Sequence, residues 1–166
     1  MKKAGRMEKL IQEITGSNAD SNPWPAAYTA YFLCFNSAEY YEAHDVLEHL
    51  WLQTSGPEHR FFKGLIQFAG AFVHLRKQYL RPHHHKDGRR LAPAARLFTI
   101  ALLNWKDQQK YTWGLDLDVP RSLCREYLAV LEGSSFAINP WRPENAPQLL
   151  PNMAESATQI APLPEA

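Results

Sequence analysis

His44 and Glu48 stand four residues apart in the run Tyr40-Tyr41-Glu42-Ala43-His44-Asp45-Val46-Leu47-Glu48-His49-Leu50-Trp51. On a helix that spacing puts both side chains on one face. The carboxylate can then hold the imidazole ring and stabilise its imidazolium form, while the ring takes a proton from a water. The same pair can offer two ligands to a metal ion. It can also do neither: a half-buried histidine and glutamate that satisfy each other simply pin two helices. Tyr41 and Trp51 fall on the same side and are candidate ligand contacts.

A second polar set lies in Gly64-Leu65-Ile66-Gln67-Phe68-Ala69-Gly70-Ala71-Phe72-Val73-His74-Leu75. Gln67 and His74 are seven residues apart and nearly eclipsed, and Gly70 and Ala71 between them permit close helix approach. If the two helices dock, four polar side chains meet in one cleft. His44 would be the base, Glu48 its orienter, and Gln67 and His74 would join Tyr41 and Trp51 as ligand contacts. A His44/Glu48/His74 metal set is disfavoured by Gln67, a poor ligand for zinc or iron. The Glu-x-x-His pairs of di-iron bundles, zincin motifs and Gly-rich phosphate loops are absent. No metal and no cofactor are therefore expected. Covalent catalysis lacks an obvious Ser, Thr or Cys nucleophile in the two blocks, other than Cys34 upstream. Asp45 and His49 are also four apart, but read as a solvated surface pair.

Helices must position these groups. Met7, Leu10, Ile11 and Ile14 repeat at helical spacing up to Gly16, and Ser17 to Pro25 reads as a linker. Ala26 to Phe35 is a second apolar segment. Asn36 with Glu39 three residues on resembles a capping box, which predicts a helix from there to about Gln53, ended by Gly56. Pro57 suits N1 of the next helix, whose face Phe61, Leu65, Phe68, Phe72, Leu75 and Tyr79 makes it central to the core. Further helices are expected from about Ala92 to Gln109, with Leu97, Ile100, Ala101, Leu103 and Trp105, and from Pro120 to Glu132. Arg81 to Arg90 reads as a solvated, mobile, His-rich loop, with His83, His84 and His85 able to bind phosphate or metal in vitro. Tyr111 to Val119 reads as a loop, and no convincing strand is found. Six of the twelve prolines fall in Ser134 to Ala166, so that tail should be extended or partly disordered, with Trp141, Leu149 and Leu150 able to dock part of it.

The fold class is therefore all-α: a single-domain helical bundle of about five helices with an extended proline-rich C-terminal tail. The expected divisions are an N-terminal helix and linker (1–25), the bundle (26–133) and the tail (134–166). A chain of 166 residues with 45% apolar and 21% charged content is an ordinary globule. Its net charge of +1 gives no global pull toward nucleic acid or membrane, and neither is expected as a partner. The most apolar stretch, Phe61 to Leu75, is broken by Lys63, Gln67 and His74 and reads as a core helix. No secretory signal is seen in Met1 to Ile14. Two cysteines, Cys34 and Cys124, are too few for a disulfide framework, which points to a cytoplasmic protein. The tryptophans Trp24, Trp105, Trp113 and Trp141 read as core or docking residues.

Phe35-Asn36 followed by Tyr41-Glu42-Ala43-His44, Val46-Leu47-Glu48 and Trp51, and then Gly64-Leu65-Ile66-Gln67 and His74, resembles the bacterial, archaeal and plastid family called domain of unknown function 309. Gly114-Leu115-Asp116 is similar to a weaker third element of it. The resemblance runs from about Ala30 to Leu131. It implies a small all-helical fold, no established activity, and shared residues at Asn36, His44, Glu48, Trp51, Gln67 and His74. The family tends to a short Asn/Gly turn where this chain inserts His83 to Arg90, and the proline-rich tail is outside the resemblance. Two functional readings stand: a hydrolase of a small molecule using His44 and Glu48, or a binding or scaffold module in which the same residues are structural. A monomer or small homo-oligomer is expected.

Overall fold

The structure is a computed structural model that describes residues 2–16 and 24–152; most of the linker expected over 17–25 and the tail from 153 onward lie outside them. Six α-helices account for most of the described chain: α1 (Lys2–Thr15), α2 (Ala26–Asn36), α3 (Tyr40–Trp51), α4 (Pro57–Leu80), α5 (Leu91–Asn104) and α6 (Asp118–Gly133). The all-α class holds. Helix α4 is the axis: both α3 and α5 pack against it, with α2 against α3 and α6 against α5. No helix among the described residues is long and apolar enough to cross a membrane.

The core is aromatic. Phe35 of α2, Phe68 and Phe72 of α4 and Phe98 of α5 are each fully buried, with ring centroids 4.9–6.0 Å apart. Burying each such side chain contributes about 1.5–3 kcal/mol. On α4 the expected face is buried from Phe61 to Leu75, while Tyr79 is 40% exposed because it lies past the bundle, where its ring packs edge-on to Trp141. Gly64 has a packing reason to be glycine. A Cβ there would lie within 2.6 Å of Trp105 Cδ1, and the Trp105 indole donates to the Phe61 carbonyl at 3.2 Å. The four tryptophans read as core or docking residues are all buried.

Several boundaries differ from the sequence reading. Asn36 does not cap α3. It is the last residue of α2, and α3 starts at Tyr40 with no side-chain cap. The turn between them needs Ala38 at φ 59°. The Asn36 amide instead meets the backbone of Leu149 from both sides, accepting from its N–H at 2.7 Å and donating to its carbonyl at 2.9 Å. Leu149 and Trp141 are buried, whereas Leu150 is 81% exposed, so residues 137–152 form a strap held on the helices, extended except for one 3-10 turn at Pro143–Asn145. Helix α5 ends at Asn104, five residues short of the expected end. Its buried face is Leu91, Ala94, Ala95, Phe98 and Ala101, which leaves Ile100 and Leu103 exposed. The expected loop after it holds a two-residue antiparallel ladder, Tyr111–Thr112 against Leu115–Asp116. Trp113 and Gly114 turn that hairpin with positive φ at both residues, the pattern of a tight primed turn.

Candidate functional site

Helix α3 presents Ala43, Val46 and Leu47 to the core, and this sets His44 and Glu48 at the edge of the buried stripe. His44 Nδ1 lies 3.1 Å from Asp45 Oδ1 and 3.6 Å from Glu48 Oε2. All three side chains are about one-third exposed. Two carboxylates thus converge on one ring nitrogen, and with a proton on Nδ1 the free Nε2 is an acceptor. Asp45 belongs to this cluster rather than to a surface pair with His49, whose ring instead faces Gln53. The cause is local: Asp45 follows His44 directly and its carboxylate reaches back along the helix surface.

Helix α4 runs past α3 with Gly70 beneath the imidazole. A Cβ on Gly70 would lie 3.9 Å from His44 Cδ2 and 3.2 Å from Leu97 Cδ1 of α5. Gly70 therefore lets walls from α3 and α5 close over the same point. On either side of it along α4 stand the two other polar candidates, Gln67 bonded to the end of α5 and His74 to the turn that leads into α5. Gln67 Oε1 accepts from Asn104 Nδ2 at 2.6 Å. His74 Nδ1 lies 3.1 Å from Arg90 NH1, so an unprotonated Nδ1 accepts this bond. The four side chains line one strip of α4 and its neighbours, but in separate networks: His44 and Glu48 with Asp45 on α3, Gln67 with Asn104 of α5, and His74 with Arg90 of the 81–90 turn.

Arg90 is itself held. Its Nε and NH2 reach Asp87 Oδ1 at 2.8 and 2.7 Å, and its backbone N–H donates to Gln78 Oε1. Asp87 is buried and also meets Arg81 NH1 at 3.1 Å. Hydrogen bonding from Arg90 and the charges of Arg90 and Arg81 hold the Asp87 carboxyl below its usual range. His84 Nδ1 accepts from the backbone N–H groups of Lys86 and Asp87. Residues 81–90 are therefore a compact turn tied around one carboxylate. Burial, helped by the charges of Arg90, Lys77 and Arg96, pushes His74 down to about 4, so it is neutral near pH 7.

Trp51 stands at the far end of the strip. His59 stacks on it with centroids 4.6 Å apart, and Lys63 Nζ lies 4.3 Å from the ring centre. Its buried indole N–H has no hydrogen-bond partner among the described residues. Tyr41 is 59% exposed and lines a different hollow, with Glu39, Glu42, Arg76 and Lys77. The His44, Asp45 and Glu48 ligand atoms all lie within 4.8 Å of one another, a group of three that could hold a cation; His74 is not part of it.

Residues 28–85 match the family model of DUF309, a domain of unknown function. The resemblance in the sequence is thereby supported, and both motif blocks fall inside the match. No curated protein and no solved structure matches the chain. The DUF309 segment covers α2, α3 and α4, while Arg90, Leu97 and Asn104, which complete the strip, lie beyond it. Asp45 is legible in hindsight from adjacency, since a carboxylate next to a histidine needs no helix–helix contact to reach it. Asn104 and Arg90 carry no such signal, because their roles depend on how α5 returns along α4.

Proposed function

We propose that His44 is the acid–base centre of a site for a small polar molecule, most simply a hydrolase in which His44 Nε2 activates a water. One observation carries the reading: both carboxylates converge on Nδ1 of a ring that is still partly open to solvent. Glu48 and Asp45 orient the ring and stabilise its protonated form, and Nε2 is left for chemistry. Gly70 keeps the floor beneath the ring free of side chain. The proposed setting is the cytoplasm, consistent with Cys34 and Cys124 being buried and unpaired. The test is a panel of chromogenic esters, amides and phosphoesters with tag-free protein, repeated on His44→Gln and Glu48→Gln and with a chelator. Turnover that falls at least tenfold in a His44→Gln variant that stays folded at the assay temperature, with the chelator present, is expected. Turnover abolished by the chelator would transfer the reading to a cation held by His44, Asp45 and Glu48.

A scaffold reading is favoured by Gln67 and His74, which are bonded to Asn104 and Arg90 rather than offered to a ligand. Under it, no substrate class turns over, and His44→Gln and Glu48→Gln change stability alone.

A further inference from the structure

The net charge of +1 is an average over two unlike parts of the surface. Residues 74–96 hold seven of the 18 Lys/Arg residues, only one of the 17 acids, and four of the seven histidines, so the rest of the chain is net negative. That one acid, Asp87, is buried and spent on Arg81 and Arg90. It organises the turn from the inside and leaves the turn's outer cations without an acid in their own segment, while Lys77 borders the hollow that also holds Glu39 and Glu42. Lys77, Lys86, Arg89 and Arg96 are exposed and have no ion pair among the described residues. They lie on the last turns of α4, the compact 81–90 turn and the first turns of α5, three segments that the Asp87–Arg90–His74 and Arg90–Gln78 bonds lash together. The turn is fixed as well as charged. Gly88 sits so close to the Pro82 and His84 carbonyls that a Cβ would not fit, and its N–H donates to the His84 carbonyl at 2.8 Å.

Such a face is rich in cations and poor in apolar anchors: from residue 81 to residue 99 no large apolar side chain is exposed, and the exposed Tyr79 and Leu80 stand only at its α4 edge, Tyr79 with its ring against Trp141. A protein partner is usually gripped through buried aromatic or aliphatic anchors ringed by polar groups. A membrane-surface helix needs an apolar face to insert. A phosphate backbone needs only positive groups at rigid positions, and it is bound through release of its counterions. We propose that this face binds the phosphate backbone of a nucleic acid, without sequence preference. Lys77, Lys86, Arg89 and Arg96 make the phosphate contacts, and Asp87 holds the turn in shape. The inference is independent of the His44 site.

The test is fluorescence anisotropy with labelled 20-nucleotide single- and double-stranded oligonucleotides of mixed sequence, using wild type and the K77E/K86E/R89E variant. Wild type should bind in low salt, and four phosphate contacts imply weakening of roughly 50–150-fold between about 50 and 200 mM salt. The charge-reversed variant should bind at least tenfold more weakly with an unchanged helical circular dichroism spectrum. If that variant does not fold, the milder K86Q/R89Q variant should still weaken binding several-fold. Absence of binding in low salt overturns the proposal, as does binding that survives charge reversal in a folded variant. Equal or tighter binding of poly-glutamate, or of vesicles rich in anionic lipid, at the same salt also overturns it, in favour of an acidic protein or a lipid surface.

Discussion

Replacing Asn36 by aspartate separates two roles that an asparagine at this position can have. As a helix cap, aspartate is as good as asparagine. As the clamp described above, it is not, because a carboxylate accepts the Leu149 N–H but has no N–H to give to the Leu149 carbonyl. Asn36→Ala removes both bonds, of 2.7 and 2.9 Å, from a partly buried site. At about 0.5–1.5 kcal/mol net for each, the expected loss is roughly 1–3 kcal/mol. Asn36→Asp keeps one bond and sets a negative charge against a carbonyl oxygen, so about 1–2 kcal/mol should still be lost. Urea unfolding followed by circular dichroism reads this directly: with a slope of about 2 kcal/mol per molar, the alanine variant's midpoint falls by roughly 0.5–1.5 M. Limited proteolysis should cut first in residues 137–152, since the strap is released before the bundle. An aspartate variant as stable as wild type, or a serine variant as stable as either, would show that capping is what Asn36 does and that the clamp contributes nothing.

Gly64→Ala should destabilise by about 1–3 kcal/mol, because the added methyl collides with the fully buried Trp105 indole; the thermal midpoint checks it. His74 is pushed below its unfolded value to about 4, so the unfolded chain takes up the proton first. Its contribution is fully present above about pH 6.5 and declines as pH falls toward 4, at no more than about 1.4 kcal/mol per unit. Urea midpoints at pH 7 and pH 5 should therefore differ less in His74→Gln than in wild type, and an equal difference would remove His74 from the account. Double-mutant cycles should give His44–Asp45 a coupling larger than His44–Glu48, both within about 0.2–1 kcal/mol since the groups are part-exposed. Couplings of zero for both pairs would sink the orienting role of the carboxylates.

The helices were readable wherever one strong periodicity met a clear stop. Pro57 opens α4 and the run from Phe61 to Leu75 is buried, as its spacing demands. What misled was local chemistry with two uses. Asn36 followed by Glu39 has the form of a cap, but its amide is taken by a chain segment 113 residues away, and nothing near Asn36 announces that partner. The same limit applies at the site. His44 and Glu48 were legible because one helix fixes their separation. The partners of Gln67 and His74 were not, since Asn104 comes from α5 and Arg90 from the turn before it, and both depend on how the chain returns along α4. Leu103 and Ile100 read as apolar face residues yet stay in water, because small alanines at 94, 95 and 101 let that helix approach on another side.

The aromatic core has a consequence for what may be cut from this chain and still stand. The stretch that carries the DUF309 pattern ends at residue 85, yet its inner rings are roofed by later ones. Phe72 meets Phe98 and Tyr127, Phe68 meets Trp105, Tyr28 and Phe62 meet Trp113, and Tyr40 meets Trp141. The recognisable segment is thus half of a sandwich. Expressed by itself it would present a wet row of phenylalanines and clump, whatever chemistry His44 performs in the whole molecule. Here the module that heredity marks out is smaller than the module that water permits.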